Sequence, residues 1–169
     1  DGLLVGLSYF SLDVVLAQDG SLVSSQESDS LTDSGSLSDN KWVSAVGDTL
    51  YLAQTDEQGN VNGLLQMQLD GSNGAKKKEV LPFSQDSYSS AYFSVLGDGT
   101  VYAADADGFF RCDAGDTNWQ KLLQGIDTGF SLSDQWCRDI VALSDGSVYA
   151  WFGSESGDKI MIYRYDPDA

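Results

Sequence analysis

The chain has 169 residues, with 26 acidic against 9 basic side chains, a net charge of −17 and no histidine. The missing histidine excludes Ser-His-Asp and Cys-His catalysis, HExxH zinc chemistry and imidazole acid–base work. The charge repels phosphate backbones and anionic lipid, so neither nucleic acid nor a membrane is expected as a partner. Hydrophobic residues at 41% and charged residues at 21% give a globular composition, and no apolar run approaches the ~20 residues that cross a bilayer.

Helical periodicity is nearly absent along the chain, and short runs of Val, Leu, Tyr and Phe alternate with turn residues, the pattern of many short strands. From the N-terminus, Asp1-Gly2 opens onto Leu3-Leu4-Val5, and Val14-Val15-Leu16 leads to Asp19-Gly20-Ser21. Trp42–Val46 follows, then the turn Gly47-Asp48, the run Thr49-Leu50-Tyr51, the run 64–69, the turn Asp70-Gly71-Ser72 and the run Lys77–Phe83. The next stretch reads Tyr92–Leu96, Asp98-Gly99, Thr100-Val101-Tyr102, Phe109-Phe110, Asp113-Ala114-Gly115 and Trp119–Leu123. The last reads Ile140–Leu143, Asp145-Gly146, Ser147-Val148-Tyr149, Ile160–Tyr165 and Asp166-Pro167-Asp168.

This is an internal repeat. The first turn recurs at Asp1, Asp48, Asp98 and Asp145, spaced 47, 50 and 47 residues apart, and the second follows it by 18, 22, 15 and 21 residues. Two turns between apolar runs make four strands per repeat, here named A, B, C and D, with the first turn joining A to B and the second joining C to D. Four antiparallel strands in 45–50 residues is the period of a β-propeller blade; an irregular β-sandwich would not repeat both turns in the same order. The expectation is an all-β chain, a β-propeller of four-stranded antiparallel blades, read as one partial propeller over 1–169 with blade segments at about 1–38, 39–84, 85–126 and 127–169. Four B and C strands but three A and D strands make about three and a half blades, an incomplete ring. A second copy or further chain segments would then be needed to complete it, since unpaired edges invite aggregation.

Strand-turn-strand units such as VALSDGSVYAWF and KIMIYRYDPDA resemble the propeller repeat superfamily of the kelch, PQQ-like and WD40-like kind. The stretch Asp113–Trp119 is similar to the Asp-box of sialidase-type propellers, a structural turn between strands C and D. It departs from that box in having Arg111 for the leading Ser or Thr and one inserted residue before Trp119. The chain is also similar in style to propeller regions of extracytoplasmic lipoproteins of Gram-positive bacteria. That resemblance implies a secreted or surface-anchored bacterial protein, acting as a non-catalytic binding platform or as an accessory to a solute-binding protein.

In such a fold the D–A and B–C connections share one end of the strands, where ligands bind. The D–A connections are read at 31–41, 84–91 and 127–138. They supply Asp39, Trp42, Asp86, Tyr88, Asp134, Trp136 and Arg138, stacking faces beside polar partners, as recognition of a sugar or a peptide requires. The bland alternative packs the tryptophans between blades and leaves the acids solvated. A glycosidase would need two carboxylates about 5–10 Å apart; nothing in the pattern marks such a pair. Asp105-Ala106-Asp107-Gly108 matches half of a calcium loop but sits where a hairpin tip is expected, and no metal or cofactor is expected. Cys112 and Cys137 read as small buried hydrophobes at opposite ends of the strands, unable to form a disulfide. Lys76–Lys78 reads as a solvated guard on an outer strand.

Overall fold

The computed structural model describes residues 3–7, 11–16, 22–27, 41–55, 61–70, 74–83, 91–105, 108–124, 135–154 and 160–166. Among them there is no helix. The strands are β1 (Leu3–Leu7), β2 (Ser11–Leu16), β3 (Leu22–Glu27), β4 (Lys41–Val46), β5 (Thr49–Thr55), β6 (Val61–Asp70), β7 (Gly74–Pro82), β8 (Tyr92–Val95), β9 (Val101–Asp105), β10 (Gly108–Cys112), β11 (Gln120–Gln124), β12 (Gln135–Ala142), β13 (Val148–Ser154) and β14 (Ile160–Tyr165).

They form four antiparallel sheets in which every strand pairs with its neighbour in sequence: β1-β2-β3, β4-β5-β6-β7, β8-β9-β10-β11 and β12-β13-β14. The repeat explains this order. The first sheet holds strands B, C and D, the middle two hold all four, and the last holds A, B and C. Each sheet is a meander because tight Asp/Gly turns leave no room for a crossover.

The chain divides into two compact units, Asp1–Ser84 and Gln85–Ala169. In the first, β5 and β6 carry the core: Leu50, Leu52, Leu64, Leu65 and Met67 are at most 1% exposed. Their pairs Leu50↔Met67 and Leu52↔Leu65 put the apolar positions of both strands on common sides. Strand β7 lies against β2 and β3. It is the edge of its sheet and ends at Pro82, where a missing N–H costs no ladder bond. Lys76–Lys78 fall on this edge strand, as expected.

In the second unit, β12 lies against β8 and β9. Tyr102, Ala104 and Phe109 from one sheet and Ile140, Val148, Ala150 and Phe152 from the other make one buried cluster. The Phe152 ring stands edge-on to Phe109 at 6.5 Å and to Tyr163 at 5.7 Å, the geometry that the ring quadrupoles favour. On the opposite side of the third sheet, Phe93, Ala103 and Phe110 are cross-strand neighbours. Trp119 reaches to 6.1 Å from Phe93, and the Lys121 ammonium lies 5.3 Å from the Phe110 ring.

The last A strand differs from expectation. It starts at Gln135 rather than Ile140, because a register shift between Cys137 and Asp139 absorbs one residue and lets pairing run on through a polar stretch. Trp136 and Arg138 therefore stand on a strand and not in a connection, as Trp42 does on β4.

Candidate functional site

Of the seven sequence-predicted ligand residues, three have a described backbone. Trp42 is the second residue of β4 and pairs with Leu52; Trp136 is the second residue of β12 and pairs with Gly153. Each is followed by a register shift, between Trp42 and Ser44 in β4 and between Cys137 and Asp139 in β12, and the second shift leaves Arg138 without a cross-strand partner in the ladder. Trp42 belongs to the first compact unit, Trp136 and Arg138 to the second. Asp39, Asp86, Tyr88 and Asp134 lie outside the described residues, as do Asp107 of the calcium-like stretch and the loop 155–159. Asp105, 1% exposed, accepts a hydrogen bond from the Gly108 N–H at 3.1 Å, so this carboxylate helps to close its hairpin.

The opposite end of the strands is described in detail. In the third sheet the A–B turn has Leu96 and Thr100 as its closing pair. The Leu96 N–H donates to the Thr100 carbonyl and the Gly99 N–H to the Leu96 carbonyl, each at 2.9 Å. Gly99 has φ +91°, which completes a three-residue hairpin with a left-handed third position. The fourth sheet repeats it: Leu143 N–H donates to Ser147 at 2.8 Å, Gly146 N–H to Leu143 at 2.9 Å, and Gly146 has φ +83°.

The acid at the turn's centre is a cap. Asp98 Oδ1 accepts from Thr100 N–H at 2.9 Å. Asp145 Oδ1 accepts from Ser147 N–H at 2.9 Å and from its hydroxyl at 2.6 Å. Both carboxyls are held below the usual aspartate range, Asp98 chiefly by the Thr100 N–H and Asp145 chiefly by the Ser147 hydroxyl. Between β10 and β11, Asp116 Oδ1 accepts from the N–H groups of Thr117 and Asn118 at 2.7 and 3.1 Å, which lowers its pKa in the same way. The Asp-box-like stretch is thus a turn between a C and a D strand, with Gly115 at φ +78°.

One constellation was missed by sequence reasoning. The Arg111 guanidinium lies 5.9 Å from the centre of the Tyr102 ring and 2.7 Å from Asp113; the Arg164 guanidinium lies 5.9 Å from Tyr149 and 2.7 Å from Asp166. Tyr102↔Arg111 and Tyr149↔Arg164 are direct cross-strand pairs. The signal was present: a Tyr four residues after the first-turn Asp and an Arg two residues before the second-turn Asp. In the second repeat the latter position is Gln68, whose amide donates to the Asp48 carbonyl at 3.1 Å and so ties a C strand to an A–B turn by another bond.

Cys112 is a free, buried thiol, and so makes no disulfide with Cys137. Its Sγ lies 3.4 Å from the Asp116 carbonyl oxygen, and burial pushes its pKa up, which suits a packing role. Among the described residues no group of three or more acidic or thiol side chains could hold a metal ion, and no helix is long and apolar enough to cross a membrane.

No protein-family model matches the chain, and no curated protein matches it. Among solved structures the chain is similar to the extracellular domain of a proposed one-component system from B. thetaiotaomicron, with TM-score 0.52 and 17% identity over 98% of this chain. The chain spans 20% of that domain's length, and the likeness is one of fold.

Proposed function

We propose that the chain is a propeller-type repeat module of a secreted or surface-anchored bacterial protein, serving as a non-catalytic platform that binds carbohydrate. The observation that carries this reading is the matched placement of Trp42 and Trp136. Each is the second residue of an A strand, and a register shift follows, directly after Trp42 and one residue later after Trp136. Bulges re-aim side chains at strand ends and recur beside binding sites. In the sequence, Asp39 stands three residues before Trp42, Asp134 two before Trp136, and Asp86 and Tyr88 in the connection ahead of β8. Flat aromatic faces with polar groups at their rim suit a sugar ring, whose C–H face stacks while its hydroxyls take hydrogen bonds. The extracellular domain of similar fold supports the location. A peptide ligand would use the same aromatics.

A purely structural module is the second reading. It is favoured by the acids at the opposite strand ends, which are engaged in capping turns. A glycan array on the purified chain, followed by calorimetry on any hit, separates the two. Binding weakened about ten-fold by Trp42→Ala or Trp136→Ala supports the platform. A blank array, or binding indifferent to both substitutions, sinks it.

A further inference from the structure

In the first three sheets the C strand is covered by a D strand: β3 pairs with β2, β7 with β6 and β11 with β10. In the fourth sheet the C strand, β14, is itself the edge among the described residues. The difference shows in burial. Leu64, Leu65 and Met67 on β6, and Phe109 and Cys112 on β10, are at most 1% exposed, whereas Ile160 and Ile162 on β14 are 70% and 69% exposed. A strand edge of this kind offers backbone N–H and C=O groups to an extended segment.

The three C–D ladders define the strand that fits. Each carries one extra residue on its D side, Val23, Lys78 or Leu122, opposite the shifts Val14/Val15, Gln66/Met67 and Phe109/Phe110. In the second and third sheets the residue just past the shift faces a lysine: Met67 pairs with Lys77 and Phe110 with Lys121. The Lys121 ammonium lies 5.3 Å from the Phe110 ring centre. The residue before the shift, Phe109, faces Leu123. Met67 and Phe110 directly precede Gln68 and Arg111. The matching residue of β14 is Tyr163, directly before Arg164, and ahead of it stands Ile162. A ring and an exposed apolar side chain thus occupy the positions that a D strand meets with lysine and leucine.

We propose that the outer edge of β14 binds an extended segment of a partner protein by strand addition. The segment runs antiparallel to β14, with a lysine or arginine opposite Tyr163 and an apolar residue opposite Ile162. The chain's charge of −17 favours a basic segment. A second copy is a poorer occupant, since it carries the same charge and its described D strands are paired within their own sheets. The tryptophans of the sugar reading play no part, so a blank glycan array leaves the proposal standing.

The test uses a labelled peptide copying residues 118–124, blocked at both ends and titrated with the whole chain by fluorescence anisotropy, then by amide hydrogen exchange. Saturable binding is expected, with exchange slowed in Ile160–Tyr165 and unchanged in Gln120–Gln124, which separates addition to β14 from displacement of β11. Lys121→Glu in the peptide should weaken binding about ten-fold or more. Of the peptide's two alternating sets of backbone amides, N-methylation of the set facing β14 should abolish binding and of the other should spare it. No binding at about 1 mM chain, protection at β11 in place of β14, indifference to Lys121→Glu, or equal effects of the two N-methylated sets overturns the proposal. So does exchange at β14 that slows in the chain alone as its concentration rises, which would make a second copy the occupant.

Discussion

The backbone N–H of Ala142 donates to the hydroxyl of Ser94 at 3.0 Å, a bond between residues 48 apart that joins the third sheet to the fourth. Ser94 shares a side with Tyr102, its cross-strand partner, so the bond lies at the margin of the buried cluster. Removing the hydroxyl leaves a half-buried donor without this partner. Ser94→Ala is expected to cost about 1 kcal/mol, the lower end for an orphaned donor because water retains some access. Urea unfolding measures the loss, and faster amide exchange at Ala142 locates it; an unchanged Ala142 exchange rate would show that the bond contributes nothing.

Deeper in the cluster the stakes rise. Phe152 is fully buried and touches two rings edge-on. Phe152→Ala is expected to cost about 3–5 kcal/mol through lost transfer energy and the cavity left behind. A loss below about 1 kcal/mol in the same urea assay would mean that the two sheets do not share a core as described.

Acid should act through the turn caps. Asp98, Asp116 and Asp145 all have depressed pKa values in the fold. Their stabilisation is complete above the unfolded-chain value, about pH 4, and is lost as pH falls through the lower folded values. An Asp98→Ala/Asp145→Ala double variant should therefore melt below the parent at neutral pH, with the gap closing as pH falls below the unfolded-chain value of about 4. The gap between the two curves is the quantity to read, because titrating the many acids also relieves self-repulsion in both proteins. A gap of constant size across that range would rule out charged caps.

Two glycines with open surroundings should respond in opposite ways to the same change. Gly97 and Gly115 each leave free space where a Cβ would go, but only Gly115 has a left-handed backbone, at φ +78°. Gly115→Ala is expected to cost about 1–2 kcal/mol in backbone strain. Gly97→Ala should be neutral or stabilise by up to about 1 kcal/mol, by restricting the unfolded chain. Thermal melts of the two variants decide it, and equal melting temperatures would contradict the turn geometry.

The turn chemistry made much of this fold legible. Asp98-Gly99 and Asp145-Gly146 announced the A–B hairpins because few residues other than glycine enter the left-handed region easily, and the strand order followed from their spacing. Gly47-Asp48 looked alike but closes a tighter, two-residue hairpin between Val46 and Thr49, with positive φ at Gly47 alone. Composition does not distinguish these turns; the order of Gly and Asp does. The length of β12 was hidden, because Gln135–Asp139 lacks the apolar alternation that reveals a strand and a register shift carries pairing across it. The Tyr–Arg pairs were hidden by spacing: nine residues separate Tyr102 from Arg111 and fifteen separate Tyr149 from Arg164. Of the candidate ligand residues, Trp136 was read within a connection and Trp42 at the start of an A strand, because a tryptophan beside an acid looks alike at the end of a strand and in the loop before it.

That difference in spacing has a consequence of its own. The Tyr–Arg–Asp unit is rebuilt with the same distances across a B–C link of two residues in one sheet and five in another. The chain has thus separated what must stay constant from what is free to drift. The Tyr–Arg–Asp unit is held constant, while the number of residues in the B–C link differs from sheet to sheet. A chassis of this kind is suited to diversification, in evolution or on the bench, and grafting new segments at 106–107 or 155–159 is where such an effort should begin.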